Sequence, residues 1–186
     1  MCFQEYGSNK YLEHKILEPI PFIFYNNFEN FLYWKSQLSY KIDVDSRSIA
    51  IVGSAALGYS INPSKNFKVY DSDSDVDIAI VSQFYFDLSW RTIRRIGSKF
   101  HSLPPVIQHS IDDHVKRLIF WGTIATDKIL PVLPFNMQWT EAKNIIKEIE
   151  PTRGRDINFR IYKDFESLRV YQLNGIKQAQ AKLLEE

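Results

Sequence analysis

The sequence predicts an α+β fold: a small mixed β-sheet flanked by helices, with added helices in the middle of the chain and at its C-terminus. Three observations lead there. Residues 48–52 and 76–81 are short β-branched runs of the buried-strand type. Residues 156–162 alternate Ile157, Phe159 and Ile161 with Asn158, Arg160 and Tyr162, the period-two contrast of a half-buried strand. Between these runs, apolar residues recur at helical spacing, with Pro and Gly near their ends. The 186 residues, 45% of them apolar and 24% charged, suit one domain over 1–186 with a substantial core. That core is expected at about 27–82 and 152–186, with a helical insertion at about 89–150.

The elements follow in chain order. Residues 1–21 are mixed, end at Pro19 and Pro21, and are expected to be partly irregular. Asn26 or Asn27 caps a helix over 27–40, where Phe28, Phe31, Leu32, Trp34 and Leu38 recur near helical spacing. A polar turn at 43–47 leads into the strand at 48–52, and Gly53-Ser54 opens a turn into a short helix around 55–59. Residues 60–70, with Asn62, Pro63 and Asn66, read as an inserted loop or hairpin. An acidic strand then closes near Val81-Ser82. Ser89 is placed to cap a helix over 90–100, and a second helix covers 106–121 after Leu103-Pro104-Pro105. Pro131 and Pro134 break the chain, Thr140 starts a helix to Ile149, and Pro151 stops it. Asp164 caps the last helix, 165 to about 184, where Phe165, Leu168, Ile176, Ala179 and Leu183 outline an apolar stripe.

A net charge of +1 provides no global field for nucleic acid or a membrane, so any basic site is local. The single cysteine, Cys2, excludes an intrachain disulfide framework and a cysteine-cluster zinc site. The opening residues lack the apolar core of a signal peptide, and no apolar run approaches the roughly 20 residues of a membrane helix. A cytoplasmic protein with no membrane partner is the expectation.

The chemistry concentrates in IAIVGSAALGYSINPSKNFKVYDSDSDVDIAIV, residues 49–81. Successive strand side chains point to opposite faces, so Asp75 and Asp77 project together, about 7 Å apart along the strand. Val76, Ile78 and Ile80 turn to the other side. Strands are depleted in Asp, and paired acids repel, so a bound cation is the natural compensation. Mg²⁺, a hard ion that takes oxygen ligands and shares them with substrate phosphates, suits such an edge. Asp71 and Asp73 fit a capped, solvated turn. A calcium loop of the EF-hand kind is excluded, because Val76 and Ser82 stand where Gly and Glu are required. Gly53-Ser54 reads either as a phosphate-cradling turn or as a strand-to-helix turn that needs a small residue. A P-loop is excluded, since Tyr59 stands in place of its Lys.

An apolar-Gly-Ser turn, then acid-apolar-acid-apolar opening the next strand, resembles the signature of the DNA polymerase beta-like nucleotidyltransferase superfamily. Gly53, Ser54, Asp75, Val76, Asp77 and Ile78 carry the match, which covers residues 48–82. The spacer is longer than is usual in that family, which implies an insertion at residues 60–70. The resemblance implies a nucleotidyltransferase-like sheet flanked by helices and two Mg²⁺ ions, with Mn²⁺ as an alternative. It also implies a nucleoside triphosphate and transfer of its nucleotidyl group to a hydroxyl acceptor, on a protein, an RNA or another nucleotide, with release of pyrophosphate. Relatives of this kind act in bacterial defence and in toxin–antitoxin systems, so a partner protein is a further expectation. In the carried-over roles, Asp75 and Asp77 are catalytic and hold metal, while Gly53 and Ser54 hold phosphates.

Family members that polymerise or cyclise nucleotides carry a third acid on a later strand, and Asp156 is the candidate for that catalytic and metal-holding role. A salt bridge to Arg153 or Arg155 is an equal reading, and Asn158 shares its face. Without a third acid, the alternative is a catalytically weak or inactive fold that binds nucleotide or a partner protein as a regulator. Arg153 and Arg155, in a basic turn at 152–155, are candidates for phosphate binding, since Arg forks grip phosphate bidentately. Arg91, Arg94, Arg95 and Lys99 read as a solvated helix face. His109, Asp112, Asp113 and His114 read as polar helix surface, because histidines five apart lie about 140° apart around a helix.

Overall fold

In the computed structural model, which describes residues 7–25 and 27–185, four strands pair into one mixed sheet. They are β1 (Ile49–Val52), β2 (Val76–Val81), β3 (Thr123–Ala125) and β4 (Ile157–Tyr162), in the order β1-β2-β4-β3. The central pair, β2 and β4, is parallel, while β1 and β3 run antiparallel on the edges. Eight α-helices accompany the sheet among the described residues, so the chain is α+β. Cys2 and Asn26 lie outside the described residues.

Register decides which face each side chain meets. Ile51 pairs with Ile78, and Ile78 with Phe159, so one face is continuously apolar. Three helices cover it: α2 (Phe28–Ile42), α4 (Gln83–Ile96) and α7 (Asn136–Ile146). Trp34, Leu38, Ile93, Trp139 and Ile146 join the strand residues in one buried cluster. Each such side chain contributes about 1.5–3 kcal/mol by leaving water. On the second face, α1 (Ser8–Leu12) and α8 (Phe165–Glu185) pack Tyr11, Leu12, Leu168 and Ile176 over Ala79 and Tyr162. That cover stops short of Asp77, Asn158 and Arg160, which share this face and are not buried. An uncovered polar half of a sheet face is where the site lies.

β1, β2, β4, α2 and α8 stand close to their expected places. Asn27 caps α2 by accepting from the Asn30 N–H, and Asp164 Oδ1 accepts from the Ser167 N–H at the start of α8. Four differences have physical causes. Residues 8–17 are helical, as α1 followed by a π turn, because Tyr11, Leu12 and Ile16 are drawn into the core under α8. α4 begins after Ser82, whose hydroxyl accepts from the Tyr85 N–H, whereas Ser89 is buried and donates to the Tyr85 carbonyl. α7 begins at Asn136, before Thr140. The stretch expected as a helical insertion supplies β3, which completes the sheet edge. Within the described residues no helix is long and apolar enough to cross a membrane.

His114 departs from the polar-surface expectation. It follows α5 (Pro105–Asp113) and is only 1% exposed. Its Nδ1 lies 2.6 Å from the Ser110 carbonyl, and its Nε2 accepts from the Ala125 N–H at 3.0 Å. Both bonds coexist only when the ring is neutral with its proton on Nδ1. Burial, its largest cause, pushes the pKa down, with the two backbone bonds opposing. The unfolded chain therefore binds more protons below its ordinary histidine range, and this contribution to stability is lost as pH falls through the folded value. Denaturant unfolding at pH 7.5 and 5.5 is expected to show lower stability at the acid value, and a smaller loss in His114→Gln.

Candidate active site

β1 ends at Val52, opposite Asp77 in the antiparallel register, and this places the Gly53-Ser54 bend beside the first acids of β2. Gly53 has φ +66°, which side-chain-bearing residues rarely adopt, and a Cβ there would stand 3.1 Å from Asp77 Oδ2. Glycine is thus required both by backbone conformation and by the closeness of the carboxylate. Ser54 opens α3 (Ser54–Leu57). Among the described residues its hydroxyl has no protein hydrogen-bond partner. Gly53→Ala is expected to cost about 1–3 kcal/mol in denaturant unfolding and to displace the Asp77 carboxylate.

Asp75 and Asp77 lie on one face, as their spacing predicts, and Asn158 on β4 stands directly beside Asp77 in the parallel register. Its Nδ2 donates to Asp75 Oδ2 at 3.4 Å and to Asp77 Oδ1 at 3.3 Å, so one amide bridges both acids by long bonds. Asp77 is reached by solvent, yet it sits on the floor of a concavity ringed by protein. That crowding, the largest cause, pushes its pKa up, with Asp75 adding to the effect and the Asn158 bond, Arg160 and Lys65 opposing it. A carboxylate held against its preference, next to a second one, gains when a cation binds.

Asp156 is not brought into this group. It is exposed and pairs with Lys147 Nζ at 3.0 Å, whose bond and charge hold its carboxyl below the usual range. No three His, Cys, Asp or Glu side chains gather into a metal-holding group among the described residues. Asn158, two residues along the same strand face, occupies the position beside the acids. Arg153 turns to its own segment: its guanidinium donates to the Glu148 carbonyl and pairs with Glu150. Arg155 is a strut. Its Nη1 lies 2.6, 3.1 and 3.3 Å from the carbonyls of Asp71, Ser72 and Ser74, and its guanidinium stacks 4.9 Å from the Tyr70 ring. It holds the loop that delivers Asp75 rather than facing the recess with it.

Two recesses meet at Asp77. One, of about 280 Å³, is lined by Ser54, Lys65, Lys68, Asp75 and Asp77. Its lysines come from residues 60–70, which fold back as a tight loop: Pro63–Lys65 make one 3₁₀ turn, Tyr59 bridges Val69, and the Ser60 N–H donates to the Lys68 carbonyl at 2.8 Å. Lys68 pairs with Asp71 at 2.9 Å, and Lys65 has no carboxylate within 4 Å among the described residues. Asp71 is held down to about 2, first by its bond from Lys68 and then by that from Ser74. The other recess, of about 270 Å³, is lined by Gly53, Asp77, Asp127, Asn158, Arg160 and Tyr171. Sequence reading singles out none of Lys65, Lys68, Arg160 and Tyr171 as site residues. The available signal was the strand alternation, which puts Arg160 on the face of Asn158.

Comparison with family models, with curated proteins and with solved structures returns no match for this chain.

Proposed function

We propose that the chain is a Mg²⁺-dependent nucleotidyltransferase that moves a nucleotidyl group from a nucleoside triphosphate to a hydroxyl acceptor with release of pyrophosphate. The observation that carries this reading is the convergence of Gly53-Ser54 on Asp75 and Asp77. The bend approaches so closely that a single methyl group at residue 53 would crowd Asp77. Ser54 and Lys65 supply a hydroxyl and an ammonium group to one recess, beside two carboxylates that favour a cation. Asp75 and Asp77 would hold the ion, with the Asn158 amide orienting both. When bound, Mg²⁺ supplies charge neutralisation at the phosphates. Lys65 and Ser54 bind the phosphate oxygens, and the loop braced by Arg155 keeps Asp75 in place.

A second reading is favoured by one specific observation. Asp156 is committed to Lys147, and an amide stands beside the two acids, so among the described residues no third carboxylate gathers with Asp75 and Asp77. On this reading the fold binds nucleotide, or a partner protein, as a regulator. One experiment separates the two. Purified protein is incubated with Mg²⁺, labelled ATP, GTP, CTP or UTP and cell-extract acceptors, beside Asp75→Ala/Asp77→Ala. Transfer that disappears in the double variant supports the enzyme. Calorimetric ATP binding without any transfer supports the regulator, and neither binding nor transfer removes both.

A further inference from the structure

The recess beyond Asp77 has a charge pattern that identifies what enters it. Among lining residues the two recesses share Asp77 alone. Arg160 rises from β4 into the second recess, half-buried, with its Nη1 donating to Tyr171 Oη at 2.6 Å. Its guanidinium centre lies 4.8 Å from the Tyr171 ring centroid. The hydroxyl and ring of Tyr171 therefore hold the guanidinium plane in a fixed orientation. No carboxylate lies within 4 Å of Arg160 among the described residues. Asp77 and Asp127 line the same recess, but neither carboxylate contacts this half-buried guanidinium, and a planar fork left without such a partner matches a phosphate group.

The recess continues past Ala125, Asp127, Arg160 and Tyr171 into an open groove of about 550 Å³ between α5 and α6 (Thr126–Ile129). Lys128 lines that groove and likewise has no carboxylate within 4 Å, while Arg117 is committed to Asp113 by two bonds of 3.0 and 2.9 Å. Two uncommitted cations thus mark a path that leads away from Asp77 on the side where Lys65 is absent. With the triphosphate in the lysine recess, an attacking hydroxyl reaches the α-phosphorus from the Arg160 recess. A serine or tyrosine of a protein carries no negative charge beside its hydroxyl, whereas a nucleotide does.

We infer that the acceptor carries phosphate, as a nucleotide or the end of an oligonucleotide, and that Arg160, oriented by Tyr171, binds that phosphate. The inference rests on the reading of the site given above. In the step, an acceptor ribose oxygen forms a bond to the α-phosphorus, the bond from that phosphorus to the bridging oxygen breaks, and pyrophosphate departs with the electron pair. The hydroxyl proton passes to water.

The test uses the full chain with Mg²⁺ and α,β-methylene-ATP, which cannot transfer, to fill the triphosphate position. Adenosine, AMP and the 5′-phosphorylated triadenylate are then titrated calorimetrically. AMP or the triadenylate is expected to bind at least about tenfold more tightly than adenosine. Preference between the two phosphorylated probes tells a mononucleotide acceptor from an oligonucleotide end. Arg160→Gln should erase that gap without weakening the analogue, Arg160→Lys should keep part of it, and Lys65→Ala should weaken the analogue alone. For the triadenylate, the slope of log affinity against log salt should fall by about 0.7 in Arg160→Gln, which a merely structural residue would not change. Equal binding of adenosine and AMP, indifference to Arg160→Gln, or exchange of the two variants' effects overturns the inference and leaves nucleotide binding standing. Labelling of protein with no phosphorylated acceptor present overturns it too. Failure of every form to bind the analogue removes the triphosphate reading itself.

Discussion

Asp77→Asn is expected to remove Mg²⁺-dependent nucleotide binding while leaving the metal-free fold at least as stable as the parent. The substitution preserves shape and takes away a charge that surrounding protein and Asp75 both disfavour. Because the folded carboxyl has its pKa raised, the folded state binds more protons than the unfolded chain between the ordinary aspartate value and the raised one. Stability from this group therefore increases as pH falls through the folded pKa, and Asp77→Asn should lose that component. The functional loss is far larger. Replacing groups that merely orient metal ligands weakens affinity by about 10–100-fold, so removing a ligand itself should exceed that range. Thermal melts with and without Mg²⁺ and ATP provide the readout. The parent gains about 2.7 kcal/mol when ligand stands at a hundred times its dissociation constant, and the variant gains none. Equal ligand-induced shifts in both proteins would defeat the assignment of Asp77.

Asn158→Asp should move the molecule the other way. In the parent the amide donates to both carboxylates, and the variant replaces two attractions by two repulsions. Metal-free stability should fall by about 1–3 kcal/mol. Divalent-ion affinity should rise by about tenfold or more, since added ligand charge is what tightens carboxylate sites. Mn²⁺ titration followed by electron paramagnetic resonance, together with melts in chelator, measures both. Transfer activity decides between the readings. A parent that binds ATP silently and a variant that transfers it favour the regulator, whereas activity in the parent that the variant does not raise favours the enzyme.

The legible parts of this fold were those with strong burial contrast. Ile49 and Ile51 of β1, the apolar side of β2 and the alternation in β4 announce themselves because each strand residue is either covered or wet. β3 is three residues long, too short for any period to register, and follows the helical Ile119–Trp121 segment, so only its pairing with β4 reveals it. Ser89 looked like a cap because its hydroxyl is polar. In the fold that hydroxyl is satisfied within α4, and Ser82 does the capping.

In the site, Asp75, Asp77 and Gly53 were readable because strand geometry fixes their facing over a few residues. Asp156 and the two arginines near it were not, because their partners Lys147, Glu148 and the loop carbonyls at 71–74 are set by tertiary packing. Lys65 reaches the acids only through the fold-back of residues 60–70, and Arg160 only through the truncated cover of α8. Spacing along a chain records which face Arg160 takes but not that the face is left open there, and it records nothing of Lys65.

The parallel pairing of β2 with β4 has a consequence for when function arises. The two middle strands of the sheet are separated by a long stretch of chain, yet Asp77 acquires its neighbour Asn158 only when they align. Long-range pairing of this kind forms slowly, after the local helices. A growing chain on the ribosome therefore displays its acids well before their neighbour arrives, and a fragment cut ahead of Ile157 keeps the motif but lacks the Asn158 amide that joins them. The cluster of two acids and one amide assembles with global cooperativity rather than with any local segment.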